Sequence, residues 1–385
     1  MKKGVSTIIS FVLLLLISVI AVYLALNVVK PTVERVFESA AMNEAELNIQ
    51  ILDNLIREVA SEGTGSLRSV VLKVSDGEYR IINTSGNFTG AIQFEIELKH
   101  SPYTAPMLKR VGNLKYSVGI NPLGLVGYWN FNERNGTFVA DSSGYGNDGT
   151  LYNESVICSG GDCPTWIDGK YGSALSFDGA NDYVNVGTGS GLDLTEAFTL
   201  EMWYKPISIQ TGTKTIVGRG LTTSDVGGYA IKIEDGKFRG YFYDSSWHYT
   251  PLSSITASPG TWYHIVLTYD KANLKLYLNG NLDSSTQFTS PVNAPTNAVL
   301  NFGRWTNGSQ YTNGIIDELK IYSRALTGRE VKENYDAKAS NYQVALEYNK
   351  IIITGNLKLG KGTHKLCIEK IGELYNKPLI KITTC

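Results

Sequence analysis

Between Val5 and Val29 the chain reads VSTIISFVLLLLISVIAVYLALNVV, a run whose one ionisable side chain is Tyr23. As a helix rising about 1.5 Å per residue it spans roughly 37 Å, enough to cross a hydrocarbon core of about 30 Å. Backbone groups find no water in lipid, so a helix is the form in which a single such segment can cross. Lys2 and Lys3 precede the run and nearly all the polar mass follows it. The positive-inside bias therefore places Met1 in the cytoplasm and the C-terminus outside. Three other readings compete: a buried core helix, a secretory signal cleaved after Val19-Ile20-Ala21, and a plain membrane anchor.

The helix pattern continues past the apolar run. Val33, Phe37, Ala41, Ala45, Ile49, Leu52, Ile56 and Val59 recur at spacings of three and four, which draws one apolar stripe along a helix. Pro31 removes a backbone donor and predicts a kink at the membrane exit. The helix is expected to stop before Gly63-Thr64-Gly65, after roughly 85 Å. A helix that is apolar all round and then amphipathic suits passage from lipid into a filament core or onto its own globular domain.

The junction Lys2-Lys3-Gly4-Val5-Ser6-Thr7 resembles the class III signal peptide of archaeal type IV pilins and archaellins. The resemblance implies that a prepilin-type peptidase cuts between Gly4 and Val5, removing residues 1–4 and leaving the helix (5–62, membrane part 5–29) on the mature chain. It implies other pilin subunits as partners through that helix. Many pilins carry Glu five residues into the mature chain, where this sequence has Ile9, a departure shared with archaellin-type sequences.

Net charge is −1 with 18% charged residues, so no basic surface points to nucleic acid. The 39 glycines and 23 tyrosines, with little helical periodicity after Gly65, predict strands and turns. An even set of cysteines in an exported chain, Cys158, Cys163, Cys367 and Cys385, suggests two disulfides. Three connectivities are open and the local pairs, Cys158 with Cys163 and Cys367 with Cys385, are expected. Zinc is the alternative, but the spacings are not those of metal ribbons and no histidine adjoins them. Glycosylation triplets begin at Asn83, Asn87, Asn135, Asn153 and Asn307.

From Ser66 to Ile120 the alternations Val70, Leu72, Val74, then Ile92, Phe94, Ile96, Leu98, then Leu114, Tyr116, Val118 predict strands, with a turn at Ser75-Asp76-Gly77. Further strand material lies far downstream, at Val344, Leu346, Tyr348, Ile351 to Ile353, Leu366, Ile368 and Leu379 to Thr383. The economical reading is one pilin-like β head, residues 66–121 plus 341–385, pairing into one sheet around an insertion.

The insertion, residues 124–336, carries an ordered set of motifs: Gly127-Tyr128-Trp129-Asn130-Phe131, Asp141-Ser142-Ser143-Gly144, Ala174-Leu175-Ser176-Phe177-Asp178-Gly179, Phe198-Thr199-Leu200-Glu201-Met202-Trp203, Trp262-Tyr263-His264-Ile265-Val266, Leu276-Tyr277-Leu278-Asn279-Gly280, and Ile316-Asp317-Glu318-Leu319-Lys320-Ile321-Tyr322 with Arg324-Ala325-Leu326. This set resembles the LamG-like, concanavalin A-like lectin family and implies a jelly roll of two antiparallel sheets. Independently, strict alternation on both sides of Asp270-Lys271-Ala272-Asn273, the Asn279-Gly280 pair, and the turn Glu234-Asp235-Gly236-Lys237 predict hairpins of a sandwich. The expected fold class is mainly β with one long N-terminal α-helix, a LamG-like β-sandwich jelly roll inserted into a small pilin-like β head.

Glucanases of that superfamily set acidic residues at alternate strand positions. Here Asp317 and Glu318 are adjacent, and a regular strand points them to opposite faces. No catalytic residue is assigned, and His264 is read as structural. The resemblance implies a structural calcium site at Glu133, Asp141 and Asp317 with Asn147 as helper. Trp247, Tyr249, Trp305 and Tyr311, in expected loops, are the candidates to stack on a sugar. Trp129, Trp203 and Trp262 are assigned to the core. The resulting reading is a membrane-inserted, cell-surface or pilus subunit of archaeal type, displaying its insert toward a surface glycan or protein. The alternatives are a purely structural pilus subunit, a monomeric anchored protein and a glycoside hydrolase.

Overall fold

The computed structural model describes residues 2–83, 89–99, 106–158, 163–189, 191–224, 226–293, 295, 297–336, 341–348 and 350–385, with side chains from Phe11 onward except Asn341. Asn87 lies outside the described residues, as do the side chains of Lys2, Lys3 and Val5.

Helix Lys2–Leu24 continues through a wider, π-helical turn, Ala25–Val29, into helix Lys30–Ser61. Pro31 stands in the first turn of the second segment. A proline there clashes with the carbonyl four residues back, and widening the preceding turn relieves the clash. Asn27 Nδ2 donates to Tyr23 O at 2.9 Å, and Thr32 Oγ1 donates to Val28 O. One helix is thus long and apolar enough to cross a membrane.

The apolar stripe divides. Ala41, Ala45, Ile49, Leu52, Ile56 and Val59 are buried, while Val33 and Phe37 are 45% and 69% exposed. The stripe is buried against the head from Ala41 onward, and one turn earlier Glu38 Oε1 accepts from Lys99 N at 2.6 Å. Asn48, buried on the same face, donates to Lys73 O at 2.8 Å and to the Tyr79 hydroxyl at 3.1 Å.

The head holds two sheets, not the single one expected. A four-stranded sheet runs Leu67–Val74, Gly362–Leu374, Lys377–Thr384, Ile352–Gly355. A six-stranded sheet runs Lys358–Leu359, Glu78–Ile82, Ala91–Glu97, Asn341–Glu347, Leu114–Val118, Met107–Val111. The Ser75-Asp76-Gly77 turn carries the chain from one sheet to the other instead of closing a hairpin, because Leu67–Val74 takes Gly362–Leu374 as its partner. Strands from both sides of the insertion therefore pair: Asn341–Glu347 lies between Ala91–Glu97 and Leu114–Val118. Both sheets and the helix share one core, with Ile49, Ile56, Phe94, Val344, Ile368 and Ile382 at its centre.

The insertion is a sandwich. One sheet runs Thr165–Asp168, Ser173–Asp178, Asn313–Tyr322, Phe198–Pro206, Tyr263–Tyr269, Asn273–Leu278, Asn281–Gln287, with Leu125–Trp129 also on Asn313–Tyr322. The other runs Trp247–Tyr249, Lys237–Tyr243, Gly227–Glu234, Thr213–Gly220, Val299–Phe302, Asp182–Gly187, Gly149–Asn153, Phe138–Val139. Between them Trp129, Phe177, Leu200, Met202, Ile231, Phe242, Leu267 and Phe302 form the main core. Asn279 (φ 50°) and Gly280 (φ 77°) adopt the paired left-handed conformation that the tight hairpin requires. Trp262 is a correction: it is half-buried just ahead of strand Tyr263–Tyr269, with the Lys205 ammonium 4.9 Å from its ring centroid.

Helix Gly328–Tyr335 covers the outer face of the first sheet. Thr327 and Glu330 form its capping box, and Val331 packs with Tyr128, Val266, Tyr277 and Tyr322. At the joint with the head, the buried Lys115 ammonium donates to Pro122 O at 3.1 Å and pairs with Glu347 Oε2 at 3.0 Å. Glu347 Oε2 also accepts from Gly124 N at 3.1 Å. Arg324 binds Leu123 O and Glu330.

Candidate carbohydrate-binding face

Strand alternation decides what the second sheet presents to solvent. On Lys237–Tyr243, Phe238 and Phe242 enter the core, so Arg239, Tyr241 and Tyr243 face outward. On Gly227–Glu234, Tyr229, Ile231 and Ile233 point in, and Ala230, Lys232 and Glu234 point out. Register then aligns Thr150, Asn185, Asn301, Gly218, Ala230, Tyr241 and Tyr249 in one row across the sheet. The middle of that row, Gly218 and Ala230, has almost no side chain, and both residues are buried.

Trp305 folds back over this glycine floor. A Cβ added at Gly218, Gly220 or Gly227 would lie 2.7, 2.9 or 2.7 Å from the indole. The ring meets Trp247 edge-on at 5.4 Å between centroids. Trp247 also contacts Tyr243 at 5.2 Å and Tyr241 at 6.1 Å. The Lys232 ammonium lies 4.6, 5.1 and 5.6 Å from the centroids of Trp305, Tyr241 and Trp247. Arg239 sits 4.7 Å over Tyr249 and pairs with Glu234 at 3.1 Å.

A second aromatic group occupies the other end. Tyr152 and Tyr183 stack at 5.1 Å, and the Arg304 guanidinium lies 3.3 Å from the Tyr183 centroid. Arg304 Nη1 donates to the Tyr311 hydroxyl at 2.9 Å, while its Nε is buried without a hydrogen-bond partner. Burial raises the Tyr183 phenol above its ordinary pKa, and Arg304 opposes the shift.

The four aromatic candidates thus share one face but not one role. Tyr249 is 49% exposed and Trp247 partly so, whereas Trp305 is 1% exposed and serves as floor, not as a ring open to solvent. Tyr311 belongs to the Arg304 end. Tyr152, Tyr183, Tyr241, Tyr243, Lys232, Arg239 and Arg304 complete the face. The parity of Lys237–Tyr243, with Phe238 and Phe242 inward, was the signal that could have found the tyrosines.

The candidate calcium residues are each engaged by protein donors or buried apart from a ligand cluster among the described residues. Asp141 is the hub of a turn, accepting from Tyr128 N, Ser143 N, Ser143 Oγ and Asn147 N at 2.8 to 3.0 Å. Donors occupy the directions from which a cation would approach, so the residue does not suit calcium. Asn147 Nδ2 donates to Val126 O, and Glu133 Oε1 accepts from Ala140 N. Asp317 Oδ2 accepts from Lys170 N and Tyr171 N, and its Oδ1 is buried without a partner. Among the described residues no three Asp, Glu, His or Cys side chains converge as metal ligands.

Asp317 and Glu318 correct the expectation of opposite faces. Trp203 pairs with Asp317 and Glu201 with Lys320, so the strand bulges between them, with Glu318 at φ 54°. Both carboxyls are buried, and the Asp317 pKa rises to about 8 through burial first and the Glu318 charge second. Both disulfides are the local pairs, Cys158–Cys163 and Cys367–Cys385. Asn83, Asn135 and Asn307 are exposed, and Asn153 is half-buried.

Residues 178–332 match the family model Laminin_G_3, described as concanavalin A-like lectin/glucanases superfamily. The insertion contains a LamG-like, concanavalin A-like domain. No curated protein matches the chain. Among solved structures, the LamG-like domain is similar to domain 4 of AbnA, a GH43 extracellular arabinanase from Geobacillus stearothermophilus, in complex with arabinotriose, at 25% identity, covering 56% of this chain and 98% of that one, with a TM-score of 0.44. It is also similar to the botulinum neurotoxin serotype D ligand binding domain in complex with N-acetylneuraminic acid, at 17% identity, 57% and 52% coverage and a TM-score of 0.44. The binding domain of Paraclostridial Mosquitocidal Protein 1 is a third, at 19% identity, 55% and 52% coverage and 0.44. The chain spans about half the length of the two toxin domains.

Proposed function

We propose that the chain is a pilin-like, membrane-inserted cell-surface subunit whose LamG-like domain binds carbohydrate, and that its role is binding and not catalysis. The observation that carries the binding half is the outward face of the second sheet, where Trp247, Tyr241, Tyr243 and Tyr249 cluster beside the buried Trp305, with Trp247 partly exposed and Tyr249 exposed. Aromatic faces beside polar and cationic groups suit sugar rings, which present C–H faces and hydroxyl edges. The apolar helix supports the display half: residues 11–37 are largely exposed hydrophobics, suited to lipid or to the helices of neighbouring copies.

The test is a glycan array probed with the detergent-solubilised full chain beside Trp247→Ala and Tyr249→Ala. Binding that the substitutions abolish, at unchanged melting temperature, supports the reading. Equal signal from both variants removes it. Mass spectrometry of the mature N-terminus tests cleavage between Gly4 and Val5, and shearing of filaments from cells separates an assembling subunit from a monomeric anchor.

A further inference from the structure

We propose that Lys320 and Asn334 become joined by an intramolecular amide bond, with Glu201 as the carboxyl group that relays protons between them. Lys320 stands on the long strand Asn313–Tyr322, and Asn334 in the last turn of the covering helix Gly328–Tyr335. Glu201 is the cross-strand neighbour of Lys320. Its Oε1 lies 3.5 Å from Lys320 Nζ and 3.2 Å from the buried His264 Nε2, and its Oε2 accepts from Asn334 Nδ2 at 2.7 Å. A single carboxyl group therefore bridges the amine and the carboxamide. Lys320, Asn334 and Glu201 are 5%, 8% and 1% exposed, enclosed by Tyr128, Tyr322 and Val331. Three such polar side chains in a water-poor interface are an expensive way to hold a helix that apolar residues would hold as well.

The same enclosure suits amide exchange, because it keeps out the water that would compete as nucleophile and tethers both side chains to the one Glu201 carboxyl group, from which a side-chain rotation brings Nζ to Cγ. A second carboxyl group completes the set. Glu318 Oε2 lies 3.4 Å from Lys320 Nζ and accepts from the Tyr128 hydroxyl at 2.8 Å. Burial raises its affinity for a proton, although Lys320 opposes the shift. The ammonium of Lys320 is held charged by Glu201 and Glu318 against the effect of burial, so the reaction begins with a proton transfer and is slow.

The steps balance without an oxidant. Lys320 Nζ gives one proton to Glu318, and its freed electron pair attacks Asn334 Cγ, forming the new C–N bond. A second proton leaves Nζ for Glu201 and passes to Asn334 Nδ2, the atom Glu201 already holds. The Cγ–Nδ2 bond breaks and ammonia departs, collecting the proton stored on Glu318 to leave as ammonium. An ammonium side chain and a carboxamide become a secondary amide and an ammonium ion. The product ties the covering helix to the central strand. The chain leaves that helix toward the head strand Asn341–Glu347, so the bond lies where force passing between head and sandwich would peel the helix away. None of this depends on which ligand the outer face binds.

The experiment is a peptide map by mass spectrometry of the purified full chain in detergent, after prolonged incubation at neutral pH. The expected result is a branched peptide containing Lys320 and Asn334, lighter than its two parts by one ammonia, with no cleavage by trypsin at Lys320. Lys320→Arg and Asn334→Ala chains should lack it, and so should Glu201→Gln, which keeps both reacting residues. Unmodified linear peptides covering both positions in the unsubstituted chain overturn the proposal whatever the variants do. Ammonia loss mapped to Asn135, Asn279, Asn307 or Asn313, each followed by glycine, is succinimide formation and also counts against it.

Discussion

The Arg304 guanidinium sits 3.3 Å from the centre of the Tyr183 ring and donates through Nη1 to Tyr311. One side chain thus fixes two tyrosines at the far end of the outward face. Arg304→Ala removes both contacts, and cation–π pairs of this kind contribute about 0.5–2 kcal/mol. The expected outcome is a melting temperature a few degrees lower. Glycan affinity should fall at least about fivefold if Tyr183 and Tyr311 take part, since about 1.4 kcal/mol is a factor of ten. Calorimetric titration of the full chain with an array-selected glycan measures the second quantity.

Gly218 has no room for a side chain. Its Cβ would stand 2.7 Å from two atoms of the Trp305 ring, and Trp305 is wedged against Trp247. Gly218→Ala must push the indole outward, at an expected cost of about 1–3 kcal/mol by analogy with overpacked cores. Chemical denaturation checks the cost. Tryptophan fluorescence checks the displacement, with a red-shifted emission expected as the ring gains water.

Much of this architecture was legible in the residues. Asn279-Gly280 announced its hairpin because few residues accept two successive positive φ values, and the heptad-like stripe from Ala41 to Val59 announced the helix face that meets the head. What could not be read were features set by tertiary choice. The Ser75-Asp76-Gly77 turn is legible as a turn, yet its flanking strands join different sheets because distant partners are available. The bulge at Glu318 shifts one strand's parity and turns two adjacent acids to one side, which no alternation rule foresees. Trp305 reads as a loop aromatic, and its burial follows from three glycines far away in the sequence.

Buried acids make stability depend on pH. The Asp317 carboxyl, ordinarily near 3.8, holds its proton up to about 8 in the folded chain, through burial and then the charge of Glu318. Between those values the folded state binds more protons than the unfolded one, so this residue's contribution falls as pH rises through the window and levels off above it. Asp317→Asn keeps an acceptor for Lys170 N and Tyr171 N and cannot ionise. Urea midpoints at several pH values should show a shallower decline in the variant between about pH 4 and about pH 8.

The Cys367–Cys385 disulfide closes a loop across the C-terminal hairpin, where Cys367 faces Thr383 and Cys385 N donates to Lys365 O at 3.0 Å. Constraint of the unfolded chain by a loop of this size contributes about 3 kcal/mol. Replacing both cysteines with serine should lower the head's unfolding free energy, read from chemical denaturation, by that amount. Hydrogen exchange should rise along Lys377–Thr384 and leave the sandwich strands unaffected.

Lys115 and Glu347 decide whether head and sandwich stay docked. The ammonium is 3% exposed and its carboxylate partner also holds Gly124 N, the first residue of the inserted domain. Lys115→Met removes one member of the pair and leaves Glu347 with its charge and a single backbone donor among the contacts described. Breaking a buried pair in this way costs about 3–5 kcal/mol, whereas replacing both members with apolar residues is far milder. The double variant Lys115→Met with Glu347→Leu should therefore recover most of the loss in thermal stability. If the single and double variants melt alike, the ion pair does not hold the joint, and the Arg324 bonds to Leu123 and Glu330 become the contacts to test.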